Sequence, residues 1–241
     1  MKNVLLIARR ELKAYLTTPL GYIIAAVVLL AEGLLFNWFA LGGEAHPSTV
    51  VLESFFWLAA GTTMISSVFL SMRLLAEDRQ TGALVLLMTS PAREREIVAG
   101  KWLASFIFMA GINVASVYMP LLIFVNGRVS VGHIASGYLG LFLLGGASLA
   151  IGLLGSALTR YQVVAVIISG VMVLFMVLAW LGANVSEPPL DRFFQHLALY
   201  NKHFVPFQHG VLGLSHVAYY ASVTFFFLLA ATKVLEARRW R

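Results

Sequence analysis

The one Gly-Lys pair in this chain, Gly100 and Lys101, is the first place to look for nucleotide chemistry. A phosphate cradle needs Gly-x-x-x-x-Gly-Lys followed by Ser or Thr, because the loop's N–H groups hold the phosphates and the hydroxyl holds magnesium. Here Trp102 follows the lysine and Arg95 stands where the first glycine belongs. Neither His-Glu-x-x-His nor Gly-x-Ser-x-Gly occurs, and no pair of acids interrupts an apolar run, so no catalytic residues are assigned. The six histidines, His46, His133, His196, His203, His209 and His216, are spread without tight pair spacing, and there is no cysteine, so no metal ligands are assigned either. One acid stands out. Glu32 lies in the middle of an apolar stretch, where a carboxylate is expensive and must face a protein interior or a wet cavity. It either lines a substrate path, with Asn113, or pairs with Asn113 or Asn37 and fixes helix packing.

The elements that position these residues are made for lipid. Hydrophobic residues are 60% of the 241, charged residues 12%, and the mean hydropathy is +0.85, outside the usage of soluble domains. About 20 apolar residues cross a hydrocarbon core of about 30 Å as a helix, because lipid offers the backbone no partners. Six stretches fit: Leu20 to Leu41, Val50 to Met72, Trp102 to Val125, Ile134 to Leu158, Val163 to Ala183 and Val217 to Leu235. The expected fold is an all-α integral membrane protein, a single transmembrane domain over residues 1–241. With six spans both termini share a side, and 14 of the 17 Lys and Arg residues then lie there, leaving Arg128, Arg192 and Lys202 opposite. Basic residues beside spans stay cytoplasmic, so both termini are expected inside. The net charge of +6 sits at helix ends rather than on one soluble face, which points to anionic lipid headgroups and away from nucleic acid.

Before the first span, Lys2, Arg9 and Lys13 fall on one side of a helix and Val4, Leu5, Ala8, Leu12, Tyr15 and Leu16 on the other, at about 100° per residue. This predicts an interfacial helix over residues 1–19, its apolar face among acyl chains. It is not read as a cleavable signal, since a run long enough to span follows it. Between the second and third spans, residues 73–101 form a polar connection with its own short helix. Gly82 breaks the chain, Ala83 to Met88 is an apolar helical run, Ser90 suits an N-cap and Pro91 the first position of the next helix. Leu84, Leu86, Leu87 and Met88 would fill a groove on a partner, with Arg79, Arg93 and Arg95 at the polar rim. Further on, Pro120 predicts a kink in the third span, and Ser148, Gly152 and Ser156 form a small-residue stripe for close packing in the fourth. The connection 184–215 is rich in aromatics and predicts short re-entrant or interfacial helices at headgroup level. Phe193, Phe204, Phe207 and Gly210 are its candidate outer gate.

The run Glu77, Gly82, Leu84, Leu87, Ser90, Pro91, Arg93, Glu96, Ile97, Gly100 and Lys101 resembles the loop after the second span in ABC-2 type permeases, the membrane halves of ABC exporters. The likeness extends over nearly the whole chain, through the interfacial helix, six spans and long outer connection. Within that family, His203, Phe204, Phe207, Gly210, Val211 and Leu212, with Tyr219 and Tyr220, resemble the outer loop of gliding-motility and nitrous-oxide-reductase accessory permeases. Ala83, Leu84 and Val85 depart from the family's Thr then Leu-Glu after the glycine.

The resemblance implies an ABC-2 (type V exporter-like) fold and a permease in a bacterial inner membrane that does not hydrolyse ATP. The ATP and magnesium would be bound by a separate cytoplasmic ABC ATPase, present in two copies. A second permease protomer, identical or not, would complete the path, and an auxiliary protein could meet the outer side. The implied coupling residues are Glu77, Arg79, Gly82, Leu84, Leu87, Met88, Ser90, Pro91, Arg93 and Arg95. Such a permease would either export a substrate or transmit the ATPase's motion to a periplasmic partner, and two other readings stand beside it: an ATP-independent secondary transporter, which would be expected to show several coupling acids, and a membrane scaffold.

Overall fold

The computed structural model describes residues 2–41, 47–89, 92–126, 129–188 and 190–239. Among them are eleven helices and no strand. They are α1 (Lys2–Thr17), α2 (Pro19–Leu41), α3 (Ser48–Gln80), α4 (Ala83–Thr89), α5 (Glu94–Ala115), α6 (Tyr118–Asn126), α7 (Val131–Leu158), α8 (Gln162–Val185), α9 (Leu190–Leu197), α10 (Val205–Gln208) and α11 (Leu214–Arg239). Six units are long and apolar enough to cross a membrane: α2, α3, α5 continued by α6, α7, α8 and α11. The six spans expected from the sequence are these.

Helix α7 is the axis of the bundle. It packs against α3, α5, α8 and α11, and most of its residues are buried. Glycine, alanine and serine along it allow that crowding, since small residues let backbones meet where no hydrophobic gain separates protein from lipid. At Gly152 a Cβ would collide with Ser71 of α3, and the Gly152 carbonyl accepts the Ser169 hydroxyl of α8 at 3.1 Å. The small-residue stripe is therefore a packing face. By contrast α2 and α8 leave Ile23, Val27, Leu30 and Leu34, and Val163, Ile167, Val171 and Leu174, exposed as aliphatic flanks for lipid.

The third span is interrupted as Pro120 predicts. Its missing N–H leaves the Ser116 carbonyl without the usual donor, and α5 ends at Ala115 in a turn through Ser116 and Val117 before α6 resumes. Met119 N–H donates to that carbonyl instead at 3.1 Å, and the Ser116 hydroxyl donates to the Asn113 carbonyl at 2.8 Å. The freed backbone groups are thus satisfied inside protein, as a break at membrane depth requires.

Helix α1 does not lie with its whole apolar face in lipid. Ile7, Ala8 and Tyr15 are buried against the bundle, chiefly on α5, while Leu5, Leu6 and Leu16 are exposed. One side seats on protein, the flank carrying Leu5 and Leu16 faces outward, and the basic side stays free.

Candidate functional site

Helix α3 has 33 residues and so is about 50 Å long, well beyond the roughly 30 Å hydrocarbon core. Its last two turns project at the end of the molecule that carries α1 and α4, and the polar side chains on this stub reach several different elements. The Ser156 hydroxyl of α7 donates to the Met72 carbonyl at 2.9 Å and accepts from the N–H groups of Leu75 and Ala76 at 3.1 and 3.0 Å. The hydroxyl is thus set into the ladder of α3, the kind of insertion that allows a helix to bend. Arg73 pairs with Glu77 at 2.7 Å, and its guanidinium lies over the Tyr15 ring of α1 at 5.5 Å. Asp78 meets Lys101 of α5 at 2.7 Å, and Arg79 donates to the Thr159 carbonyl beyond α7 at 3.1 Å.

Lys101 is the hub. Its side chain is 1% exposed, and its ammonium lies 2.9 Å from Glu11 of α1 as well as 2.7 Å from Asp78. Burial works to raise the Glu11 carboxyl, but Lys101 and Arg10 outweigh it and hold Glu11 below its ordinary value. Tyr15, two turns along α1 from Ala8, donates to the Leu70 carbonyl at 2.9 Å, contacts the Ser105 hydroxyl at 3.2 Å and stacks on Phe108. Burial pushes its hydroxyl up, so it stays a neutral donor. Gly100 makes the approach of α1 to α5 possible, because a Cβ there would lie 2.9 Å from Ile7 Cβ and from the Val4 carbonyl oxygen. The Gly-Lys pair therefore serves a clamp of α1, α3 and α5.

The short helix hangs from this clamp. Gly82 has φ +76°, the left-handed region that favours glycine, and it turns the chain from α3 into α4. The expectation that Leu84 faces a partner is corrected: Leu84 is 7% exposed and packs with Leu74, Leu75 and Ile97 in the chain's own core. Leu87 is half-buried against the same cluster. A helix this short and apolar is held by its own protein. Ser90 and Pro91 lie outside the described residues, as do the side chains of Leu86 and Met88. Helix α5 starts at Glu94, later than Pro91 predicts, with the Glu96 carboxylate accepting the Arg93 N–H and the Asn3 amide of α1, each at 3.0 Å. Arg93 and Arg95 are exposed; Glu77 and Arg79 are engaged within the chain.

Glu32 and Asn113 sit inside the protomer, each 2% exposed. Glu32 accepts the Thr62 hydroxyl at 2.7 Å, and the Asn113 side-chain carbonyl accepts the Thr63 hydroxyl at 3.3 Å. The partner of Glu32 is thus Thr62 rather than Asn113 or Asn37. Both contacts join α3 beside the break of the third span, where Ser116 also meets Tyr138 of α7 at 3.1 Å. These side chains form a buried polar node inside the protomer.

At the opposite end the connection 186–213 forms a ledge. Leu199 N–H donates to the Met176 carbonyl at 3.0 Å, nine residues before the end of α8, so the chain dips about 14 Å below that helix end. Tyr220 and Tyr219 donate to the carbonyls of Leu199 and Leu197 at 2.7 and 3.0 Å, and Gln208 to that of Glu53 at 2.9 Å. Of the candidate gate, Phe204 and Phe207 are wholly buried against α7 near Gly140. Phe193 is 61% exposed, and Gly210, with φ +81°, turns the chain beside His133. His46 lies outside the described residues.

His203 packs between ledge and last span: its ring stacks on Tyr219 at 3.6 Å, its edge meets Tyr220, and its Nδ1 faces His216 Nδ1 at 3.1 Å. Burial, then the charge of His216 and of Lys202, lowers its pKa to about 4. A base held neutral when folded destabilises the fold as pH falls from about 6.5, its unfolded value, towards 4. Acidification over that window is expected to loosen the ledge by about 3 kcal/mol, read as lower amide protection factors at residues 198–208, each exchange rate being referred to the intrinsic rate at the same pH. His203→Phe should keep the stack and remove the pH dependence; an unchanged profile in that variant would contradict the assignment.

A family model described as ABC-2 family transporter protein matches residues 43–237, from before α3 to near the end of α11. This chain belongs to the ABC-2 transporter family. No curated protein is similar enough in sequence to match it. An ABC-2 membrane domain is a multi-pass transport component, not itself catalytic, and family membership implies an ABC ATPase as its partner. The matched span contains the stub, α4 and the ledge. Of the clamp, Asp78 and Lys101 fall within it, and Glu11 and Tyr15 on α1 precede it. Reading the sequence for charge clusters passes over those two. The signal that finds Glu11 is periodicity: at about 100° per residue it shares a face with Val4, Ile7, Ala8 and Tyr15.

Proposed function

We propose that this chain is the permease subunit of an ABC exporter, working as a homodimer or heterodimer with two copies of a cytoplasmic ATPase that binds the ATP and magnesium. Both termini and the stub are cytoplasmic in this reading, in a bacterial inner membrane, because the basic residues gather at that end. The outer motif, folded into the ledge, favours the branch of gliding-motility and nitrous-oxide-reductase accessory permeases and offers a surface for an auxiliary outer protein. Helix α4, with Arg93 beside it, is the coupling contact. The observation that carries this reading is the clamp: α4 hangs from a stub tied to α1, α5 and α7, so a push on α4 moves several helices together. In this reading the insertion of Ser156 into the ladder of α3 is the hinge at which the stub turns against the span above it.

Arg93→Glu reverses the charge at an exposed position without entering the core. It is expected to weaken ATPase retention in co-purification about tenfold, roughly 1.4 kcal/mol, with thermal unfolding in detergent unchanged. An ATPase still retained and still stimulated by this variant would remove the Arg93 end of α4 from the interface. Leu84→Asp is unsuited to this purpose, since it would damage the fold first.

A further inference from the structure

We propose that a groove between α5 and α11 holds one anionic phospholipid, with its phosphate at Arg95 and Lys233 and an acyl chain running towards Trp102. Helix α11 packs along α7 and meets α5 over a shorter stretch, which leaves a furrow between the two. Two adjoining cavities of about 460 and 490 Å³ lie along it and share Phe225 and Leu228. The first opens at the basic end among Arg95, Lys233 and Glu236; the second continues past Trp102 and Phe106 and is almost wholly apolar. Both volumes fall within the roughly 300–1,000 Å³ of ligand sites.

The charges choose the occupant. Lys233 is paired with Glu236 at 2.7 Å, so the mouth carries two cations against one engaged acid. A polar, net-positive mouth on a long apolar furrow suits a molecule with an anionic head and a hydrocarbon tail, and basic pockets between spans at the headgroup level bind such heads. The floor is built and rigid: the Trp102 indole N–H donates to the Gly146 carbonyl at 3.0 Å, and its ring stacks on Phe106 at 5.1 Å. Phe225, at the junction of the two cavities, is left 69% exposed. Trp102 stands seven residues from Arg95 along α5, about 10 Å, within reach of the middle of a chain whose phosphate sits at the mouth.

The test uses Trp102 as the probe. The full chain with the other four tryptophans changed to Phe is reconstituted in phosphatidylcholine vesicles containing phosphatidylglycerol, with only one headgroup class dibrominated at mid-chain at a time. Brominated phosphatidylglycerol is expected to quench Trp102 with about fivefold higher relative affinity than brominated phosphatidylcholine. Arg95→Gln with Lys233→Gln should abolish the preference while leaving phosphatidylcholine quenching in place, Glu236→Gln should raise it, and Arg93→Gln should not change it. Equal quenching by the two lipids, a preference that survives Arg95→Gln with Lys233→Gln, or a loss with Arg93→Gln would overturn the site. Quenching needs no ATPase, so the outcome is independent of the transport reading.

Discussion

Lys101→Met is expected to destabilise the fold by about 3–5 kcal/mol, because it leaves the buried Glu11 carboxylate with Arg10 alone and takes the ammonium away from the buried Asp78 carboxylate. Their side chains are only 16% and 14% exposed, so water cannot take over from the ammonium. The pH dependence separates this cause from lost packing. With Lys101 present, the Glu11 carboxyl is held below its ordinary value, so its contribution is complete at neutral pH and is lost as pH falls below the usual carboxylate range. Without Lys101, burial, the largest single influence on Glu11, prevails over Arg10 and Glu11 binds its proton more tightly folded than unfolded, so stability should rise as pH falls from 7 towards 5. Thermal unfolding in detergent across that range reads the sign. A triple variant, Glu11→Gln, Asp78→Asn and Lys101→Met, should recover most of the loss, since a neutral node has no charge to strand. A loss that is equal at pH 5 and 7 and persists in the triple variant would show that the lysine acts by packing alone.

Gly100→Val is the second large effect, expected to cost about 1–3 kcal/mol and to lift α1 from α5. The obstruction is partly backbone: the new Cβ would meet the Val4 carbonyl oxygen as well as the Ile7 side chain, both at 2.9 Å. Trimming Ile7 to Ala should therefore relieve only part of the effect. Trypsin reads the result, because Lys2, Arg9 and Lys13 lie on the exposed side of α1 and a docked helix is a poor substrate. Protection of α1 in Gly100→Val equal to that of the unchanged chain would mean that close approach at Gly100 does not hold the clamp. A released α1 should also lower ATPase stimulation while the ATPase stays bound, since α4 is left in place.

Much of the molecule was legible in order of chain. The spans followed from runs of apolar residues that lipid forces into helices. Gly82 marked the end of α3, because glycine accepts the left-handed turn there, and Pro120 the break in the third span, because its ring removes a backbone donor. The site was legible only in part. The loop of residues 73–101 could be located, and its likeness to ABC-2 permeases agrees with the family match. Which face of α4 is available could not be read, because an apolar run fits its own core or a partner's groove equally well; the core took Leu84. Phe204 and Phe207 read as interfacial aromatics, yet the dip of the ledge carries both into the bundle.

The sequence by itself determined the solvent, the number of crossings, the gathering of charge at one end and the lack of a phosphate-binding loop, all properties of composition and local chain chemistry. Only the tertiary structure decided who meets whom. Lys101 finds Glu11 and Asp78 across 90 and 23 positions of chain, Glu32 finds Thr62 instead of an asparagine, and Ser156 enters the ladder of α3. Such pairings depend on the rotation and depth at which helices pack, and those are set by the small residues of α7 and by many weak contacts summed over the bundle, which no single segment encodes.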